Sequence, residues 1–403
     1  FYRQSERTEI YTRYLEELVK KDLAYISEED VTEKSEKMAE DEKKGVPEKT
    51  RRSSVIRFRN PNTTIKFSDI IRGEISFATN DLGDFVIAKS LSEPLYHFAV
   101  VVDDHEMGIT HVIRGEEHIS NTPRQILIGE AIGAKRPVYG HLPLILAADR
   151  TKLSKRKGAQ AVTEYQKNGF LQSALVNYAA LIGWNPGTNE EIFTLAELVE
   201  KFDISKVQKA GAVYNEEKLR WINKEHLKRL TPEELHRDLT EVFKNSEYVK
   251  NKKWLKKISA ELIKKLTPTI LDRAETFADI TTSIQNSDLD YVFEPQDYDV
   301  KDLIWKDSGE DAVKKTEAHI SHVKMVLQAM SEEDGGNPDQ IKANIWDYAT
   351  THGRGDVLWP IRFALTGRTK SADPFSVISI IGLKESLSRL DLALKKLTQI
   401  DTE

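Results

Sequence analysis

The chain has 403 residues, of which 39% are hydrophobic, and a net charge of −6 arises from 59 basic and 65 acidic residues. This length favours two to four domains, and the acidic total excludes binding to nucleic acid through overall charge, so any RNA site must be a local patch. The chain contains no cysteine, which excludes disulfides, thiolate zinc sites and a cysteine nucleophile. No apolar run is long enough to cross a bilayer, and together these features predict a cytoplasmic protein with no membrane partner.

The N-terminal part of the sequence predicts one helix followed by short strands. Ser5 is a candidate cap for a helix whose apolar positions recur at helical spacing up to Leu18. Residues 28–52 are rich in charged side chains and are typical of a solvated connector. Four β-prone runs broken by glycine or by asparagine–proline then predict a small antiparallel sheet, at residues 55–58, 64–67, 74–77 and 85–88.

Longer apolar runs follow this sheet and predict a second architecture. We interpret residues 96–102, 109–113 and 139–146 as buried parallel strands, with a helix at about 120–132 between the last two. Alternation of this kind indicates a nucleotide-type α/β domain. From Val162 the pattern is mostly helical, interrupted by predicted turns, connectors and loops at 183–187, 205–213 and 331–338, and it ends in an amphipathic helix at 386–397.

The segment THVIRGEEHISNTPRQ (110–125) places polar residues directly after an apolar strand. In parallel sheets, ligands bind at the carboxyl ends of strands, where backbone groups and helix N-termini converge. Arg114 at that position can form a bidentate pair with a carboxylate. The alternative is a surface turn with a mixed ion pair, and the segment alone does not decide between the two.

The segment DRTKLSKRKG (149–158) is basic, and hydroxyl residues are interleaved with its lysines and arginines. Such a loop can bring cations to a triphosphate and neutralise charge on the leaving pyrophosphate. Lysine-rich loops are also common on solvated surfaces, and taken alone this loop favours that interpretation.

Half of the ten histidines lie between His97 and His141. Their spacing does not match a metal site, so we expect most of them to serve hydrogen bonding or the core.

In this order and separation, the two segments resemble those of the glutamyl-tRNA synthetases, which are class I aminoacyl-tRNA synthetases. KLSKR (152–156) resembles the second signature of that class, and 110–125 resembles the glutamate-specific strand before it. The resemblance covers nearly the whole chain. Its other segments are YRQSERTEIYTRYLEELVKKDLAY (2–25), DIIRGEISF (69–77), LIGWNP (181–186), GAVYNEEKLRWIN (211–223) and WPIRFALTG (359–367).

The resemblance implies a domain plan and a reaction. Residues 1–25 and 92–160 would form the remainder of a Rossmann-type catalytic domain, with residues 26–91 as an inserted β-containing module that binds the acceptor stem. Residues 161–235 would be the stem-contact region, and 236–403 a helical anticodon-binding region. The implied activity is ATP-dependent formation of glutamyl-adenylate and transfer of glutamate to tRNA(Glu), without a protein nucleophile. Magnesium would arrive with ATP, and the chain would act as a monomer.

The resemblance also assigns a glutamate pocket. Tyr96, Val100 and Arg114 would line it, with Arg114 pairing a substrate carboxylate. An arginine opposite the side-chain carboxylate would reject glutamine, because the glutamine amide would place donors against donors.

The assignment for ATP involves two further segments. Glu117 would contact the adenylate end, and the backbone of Leu144 and Ile145 would flank adenine. Lys155 would bind phosphate and stabilise the transition state, and the neighbouring Lys152 and Arg156 would assist it.

Two features of the family pattern are absent from these 403 residues. No HIGH-type first signature is present, and neither is the early arginine-containing strand that completes the glutamate pocket. We expect both to lie upstream of Phe1, and we predict that the chain alone does not form glutamyl-adenylate. Some relatives hold a cysteine-ligated zinc in the inserted module. The matching stretch AYISEEDV (24–31) has no thiol, so no zinc is predicted.

Three alternatives remain open from the sequence. Glutaminyl-tRNA synthetases share the architecture, although segment 110–125 resembles the glutamate branch. A relaxed enzyme that also charges tRNA(Gln) is compatible with every motif. A non-catalytic tRNA-binding remnant is the third, although such a protein would have no need of the basic loop.

Overall fold

The computed structural model describes residues 2–32, 50–154, 156, 158, 160–246, 248, 258–306 and 311–400. The chain divides into two compact units, and each is described by itself. Unit 1 comprises Phe1–Ala159 and Ala179–Tyr214, and unit 2 comprises Gln160–Tyr178 and Asn215–Glu403. The finer four-part plan stays a prediction.

The described residues form ten strands and seventeen α-helices. The strands are β1 Ala24–Thr32, β2 Thr50–Phe58, β3 Thr64–Asp69, β4 Gly73–Ala78, β5 Phe85–Ser90, β6 Glu93–Pro94, β7 His111–Gly115, β8 Val138–Leu142, β9 Ile145–Leu146 and β10 Ala212–Val213. The helices are α1 Thr8–Lys20, α2 Tyr96–Glu106, α3 Thr122–Ala131, α4 Val162–Lys167, α5 Gln172–Leu181, α6 Leu195–Lys201, α7 Glu216–Arg229, α8 Pro232–Asn245, α9 Ala260–Arg273, α10 Phe277–Gln285, α11 Asp290–Phe293, α12 Ala312–Ala329, α13 Glu332–Gly335, α14 Pro338–His352, α15 Arg354–Thr366, α16 Pro374–Ile381 and α17 Leu383–Ile400.

Unit 1 contains three sheets among its described residues. An antiparallel sheet has the strand order β1-β2-β5-β6, and a mixed sheet has the order β4-β3-β8-β7. In the mixed sheet β3 and β4 are antiparallel, whereas β8 runs parallel to both β3 and β7. A short parallel pair joins β9 to β10. The four β-prone runs predicted as one antiparallel sheet are therefore divided between two sheets, because β3 pairs with β8 from far along the chain.

The connection from β7 to β8 is a strand–helix–strand crossover, as predicted. A 3-10 helix, Glu116–Asn121, follows β7 and leads into α3, whose N1/N2 proline suits a helix start. The apolar face of α3 is buried against the core of the unit through Ile126, Leu127 and Ile128. The carboxyl end of β7 and the start of α3 are thereby held at one edge of the mixed sheet.

The run at 96–102 is a helix, and its interpretation as a strand is wrong. Phe98, Val101 and Val102 are buried in α2 at the i, i+3, i+4 spacing of a helix face. Three consecutive valines favour a strand by propensity, but packing of this face against the core outweighs that preference. The helical spacing is present in the sequence and is the signal that identifies the helix.

The predicted strand 139–146 is two strands in different sheets. β8 ends at Leu142 and β9 begins at Ile145. Pro143 lies between them, and it has no backbone N–H to continue a ladder. The break lets the chain leave the mixed sheet and pair with β10 instead.

Three smaller predictions also need correction. Arg7, not Ser5, precedes helix α1 as its N-cap, and Ser5 lies in a 3-10 helix. The ends of the predicted connector 28–52 belong to β1 and β2, which pair antiparallel over their whole length; its centre, residues 33–49, lies outside the described residues. The loop predicted at 331–338 contains the short helix α13, capped by Ser331.

Unit 2 is helical, as the pattern after Val162 predicts. Its core is formed by apolar faces of helices from α8 to α17, with Leu239, Ile320 and Leu390 fully buried. The amphipathic C-terminal helix predicted at 386–397 is α17. No helix within the described ranges combines the length and apolarity that spanning a bilayer requires.

Candidate active site

Arg114 lies near the carboxyl end of β7, one residue before the strand ends. Its Nη2 donates to Thr122 Oγ1 at 2.9 Å and to the His118 carbonyl at 3.4 Å, and its Nε donates to His141 Nε2 at 3.3 Å. These partners belong to the 3-10 helix, the start of α3 and β8. Three elements therefore fix the direction of the guanidinium.

The Arg114 guanidinium has no ion-pair partner among the described residues, although it is half-buried. Burial lowers the pKa of Arg114, which means that its charge is incompletely solvated. Asp104 acts on it only through space, and burial raises the pKa of Asp104. A half-buried cation without a carboxylate can take an anionic ligand as its partner, which makes Arg114 a candidate binding residue.

A buried Asp69–His141 pair lies behind Arg114. His141 Nδ1 is 2.6 Å from Asp69 Oδ2, and both side chains are fully buried. Burial lowers the pKa of His141, so this imidazole is neutral at pH 7. The expectation that histidines of this region serve hydrogen bonding is confirmed for His141. The sequence singles out neither residue of the pair, because they are 72 positions apart and no pattern links them.

A second pair holds the backbone that is expected to flank adenine. Arg72 and Glu116 form a partly buried ion pair, and the other oxygen of Glu116 accepts the N–H of Leu144 at 3.0 Å. Arg72 Nε also donates to the His141 carbonyl at 3.2 Å. The turn at Leu144 is thus tied to the end of β7 by a charged pair that the sequence does not reveal.

The basic segment begins close to the same region. Leu153 N donates to the Ile145 carbonyl at 2.9 Å, so the chain folds back along β9. Lys152 Nζ then lies 2.8 Å from Glu117 Oε1, and this hydrogen bond lowers the pKa of Glu117. The structure therefore brings Lys152 to the 3-10 helix that follows Arg114, which the sequence alone does not show.

The remaining predicted residues stand as follows. Tyr96 is the first residue of α2, is half exposed and interacts with Arg114 through its hydroxyl. Val100 is partly buried against the core of unit 1. Arg156 is exposed, and Lys155 lies outside the described residues. The site assignments therefore stay predictions.

The sequence contains two basic stretches, 252–257 and 362–370, that are candidates for a local RNA-binding patch, although ordinary solvated helix surface is the alternative for each. Neither gains support from the structure. Residues 252–257 lie outside the described residues. In the stretch 362–370, Arg362 donates to the Thr369 carbonyl and Arg368 pairs with Asp288, so both arginines serve internal contacts.

Within the described ranges, no group of three or more histidine, aspartate or glutamate side chains is arranged to hold a metal ion.

Comparison with known proteins identifies the family of the chain. Residues 1–221 match the family of class I tRNA synthetases (E and Q), catalytic domain, and residues 234–394 match an anticodon binding domain. A glutamate–tRNA ligase of Desulforamulus reducens is 35% identical, over 98% of this chain and 83% of the relative. One from Carboxydothermus hydrogenoformans is 36% identical, over 96% of this chain and 82% of the relative.

A solved structure shows the same fold. It is a crystal structure of a glutamate tRNA ligase from Elizabethkingia meningosepticum in complex with its amino acid, with a TM-score of 0.75 and 30% identity, covering 98% of this chain and 84% of that chain. The predicted fold class, a mixed α/β catalytic part followed by helical domains, is thereby confirmed. The resemblance noted in the sequence is confirmed as well, and the chain belongs to the glutamate–tRNA ligases, which are class I aminoacyl-tRNA synthetases.

Proposed function

We propose that this protein activates L-glutamate with ATP and transfers it to tRNA(Glu), using Arg114 to bind a carboxylate of the amino acid. The supporting observation is the half-buried Arg114 guanidinium, which has three hydrogen-bond partners and no ion pair within the described part of the chain. Tyr96 beside it would complete this side of the pocket. Val100 belongs to the same proposed pocket segment, although its observed packing is with the core.

ATP would bind at the adjoining edge of the mixed sheet. The Leu144 and Ile145 backbone would flank adenine, with Glu117 near the adenylate end. Lys155 would bind the phosphates, assisted by Lys152 and Arg156. The chemistry needs orientation of two anions and neutralisation of charge on the departing pyrophosphate, and lysines close to a strand end can supply both.

The ion pair between Lys152 and Glu117 bears on this ATP site. Lys152 would have to exchange Glu117 for a phosphate oxygen when ATP binds. The pair is largely exposed, with 59% and 39% of the two side chains accessible. Exposed pairs are worth about 0–1 kcal/mol, so ATP can break this one at little cost.

Magnesium would be bound mainly by the phosphate oxygens of ATP, since Mg²⁺ in such sites keeps waters and substrate phosphates as ligands. We further propose that the protein binds no zinc, acts as a monomer and works in the cytoplasm. Metal analysis, sedimentation and localisation of a tagged copy would test these three statements in turn.

The test is ATP–pyrophosphate exchange with the complete product of the gene, followed by charging of tRNA(Glu) and tRNA(Gln). We expect exchange with glutamate but not with glutamine, and charging of tRNA(Glu). Charging of both tRNAs would establish the relaxed enzyme, and tRNA binding without exchange would favour the non-catalytic remnant. The 403 residues by themselves are predicted to give no exchange, because they contain no HIGH-type sequence.

A pair of lysine variants tests the basic segment. Lys152→Met is expected to lower the exchange rate about 10- to 100-fold, in the range of one lost charge-assisted contact. Lys135→Met removes an exposed lysine in the connection from α3 to β8, and it should leave the rate unchanged. Equal effects of the two substitutions would contradict the proposed role of the segment.

A further inference from the structure

We propose that Asp69 and His141 are positioning residues for Arg114: Asp69 fixes the histidine tautomer that offers Nε2 as an acceptor to the arginine. This inference rests on the function proposed above, in which Arg114 binds a substrate carboxylate. It adds two residues that never touch the substrate but decide whether the guanidinium points at it.

The tautomer follows from what Asp69 can accept. Oδ1 of Asp69 accepts the backbone N–H groups of Ile71 at 2.9 Å, Arg72 at 2.8 Å and His141 at 3.3 Å. Burial opposes ionisation, but these bonds and the His141 side chain together lower the pKa of Asp69. An ionised carboxylate has no proton to donate, so the hydrogen between Oδ2 and His141 Nδ1 belongs to the histidine.

The consequence appears at the other ring nitrogen. With its proton on Nδ1, the neutral His141 presents a lone pair at Nε2, which is 3.3 Å from Arg114 Nε. A guanidinium contains only donors, so it needs an acceptor there. The opposite tautomer would set N–H against N–H and push the arginine away. Fixing of a histidine tautomer by a buried carboxylate is the arrangement found behind metal-ligating and catalytic histidines.

Thr122 also holds Arg114 and limits rotation of its guanidinium. Its hydroxyl accepts from Arg114 Nη2 at 2.9 Å and lies 3.1 Å from the His118 carbonyl, to which it donates. Nε and Nη2, which form one edge of the planar guanidinium, are then both held in place. The remaining N–H donors of the guanidinium therefore already point in a fixed direction when a carboxylate approaches. Little side-chain entropy is then lost on binding.

Asp69→Asn is the decisive substitution, because the three backbone N–H groups require an oxygen at the Oδ1 position. The new NH₂ group must then face His141 Nδ1, which becomes an acceptor, and the proton moves to Nε2. We expect the Kd for glutamate to rise about 10- to 100-fold, as for loss of one hydrogen bond to a charged group. The Kd for ATP should change less than twofold. Nitrogen-15 shifts of His141 should exchange between its two ring nitrogens.

Two substitutions of the histidine separate the two contacts, and they serve if the aspartate variant does not fold. His141→Gln places an amide oxygen near the Nε2 position and keeps an acceptor for Arg114. His141→Asn keeps a donor for Asp69 but does not reach the arginine. The glutamine variant should bind glutamate about tenfold more tightly than the asparagine variant. Asp84→Asn is the matched control, because Asp84 also accepts from a backbone N–H and a tyrosine, away from the site.

All measurements use the complete product of the gene, with titration calorimetry for glutamate and ATP. A wild-type His141 protonated at Nε2 would overturn the proposal, and so would unchanged glutamate binding in a tautomer-inverted Asp69→Asn. If glutamate binding also survives Arg114→Met, the failure lies in the proposed pocket and not in the positioning pair. If Arg114→Met loses glutamate binding but the Asp69 and His141 variants keep it, the proposed function stands and the positioning role of Asp69 and His141 is wrong.

Discussion

Replacing Arg114 by methionine should separate ligand binding from stability. Methionine retains most of the length of the side chain but removes the charge and all five donors. A bidentate pair with a carboxylate consists of two charge-assisted hydrogen bonds, each worth about 1.5–3 kcal/mol. Loss of both corresponds to roughly 10²- to 10⁴-fold weaker glutamate binding.

The same substitution should hardly affect folding. Arg114 has no ion pair within the described ranges, and burial disfavours its charge. The Thr122 hydroxyl lies 3.2 Å from His141 Nε2, so it can donate to that nitrogen once the arginine is gone. The His118 carbonyl then loses the hydroxyl of Thr122 but keeps the backbone N–H of Thr122 as a donor. The loss of the arginine hydrogen bonds is offset by relief of a half-buried charge, and we expect the free energy of unfolding to change by less than about 1 kcal/mol.

Titration calorimetry with glutamate and urea denaturation of the same preparations measure the two effects. Arg136→Met is the matched control, since Arg136 is exposed and pairs with Glu130 at the surface of the same unit. It should change neither quantity measurably. The reasoning is refuted if Arg114→Met binds glutamate within threefold of wild type. It is equally refuted if that variant loses more than about 3 kcal/mol of stability, because Arg114 would then be a structural residue.

Three further predictions concern stability. Glu116→Ala should lower the free energy of unfolding, measured in urea, by about 1–3 kcal/mol, because it leaves Arg72 partly buried without its carboxylate. Glu116→Gln should lower the free energy of unfolding by less. Because the pKa values of His141 and Asp69 are both lowered in the folded state, the free energy of unfolding should be greatest above about pH 6.5 and fall as the pH is lowered. The Asp69 carboxylate raises the pKa of His141, so urea midpoints should fall more steeply just below pH 6.5 in Asp69→Asn. Gly169 has φ +74°, and a Cβ there would lie 2.5 Å from a main-chain nitrogen of α10, so Gly169→Ala should cost at least about 2 kcal/mol in thermal denaturation.

Local sequence is sufficient to predict an element when the residues that define it are neighbours along the chain. Segment 110–125 predicts the strand and the helix that surround Arg114, because an apolar run followed by a helix-starting proline is a local signal. The helical nature of residues after Val162 follows from periodicity in the same way. The resemblance to glutamyl-tRNA synthetases also rests on short contiguous motifs, and these can be read directly from the amino-acid sequence.

The errors occur where packing outweighs local preference. Residues 96–102 contain three successive valines that favour a strand, yet burial of Phe98 and Val102 on one face makes them a helix. The β-prone runs predict a single antiparallel sheet because they are adjacent in sequence. Parallel pairing of β3 with β8, at Asp69 and Tyr139, divides that sheet. Pairings between strands about 70 residues apart leave no periodic trace in either one.

The sequence by itself determined that this chain is a multidomain α/β and helical protein with an arginine at a strand end and a basic segment after it. Only the tertiary structure decided what surrounds that arginine. Asp69 reaches His141 because β3 and β8 are neighbours, and His141 reaches Arg114 because β8 lies beside β7. Each contact depends on strand order, which long-range burial selects and short-range pattern does not encode. The direction of the guanidinium is therefore a property of the fold.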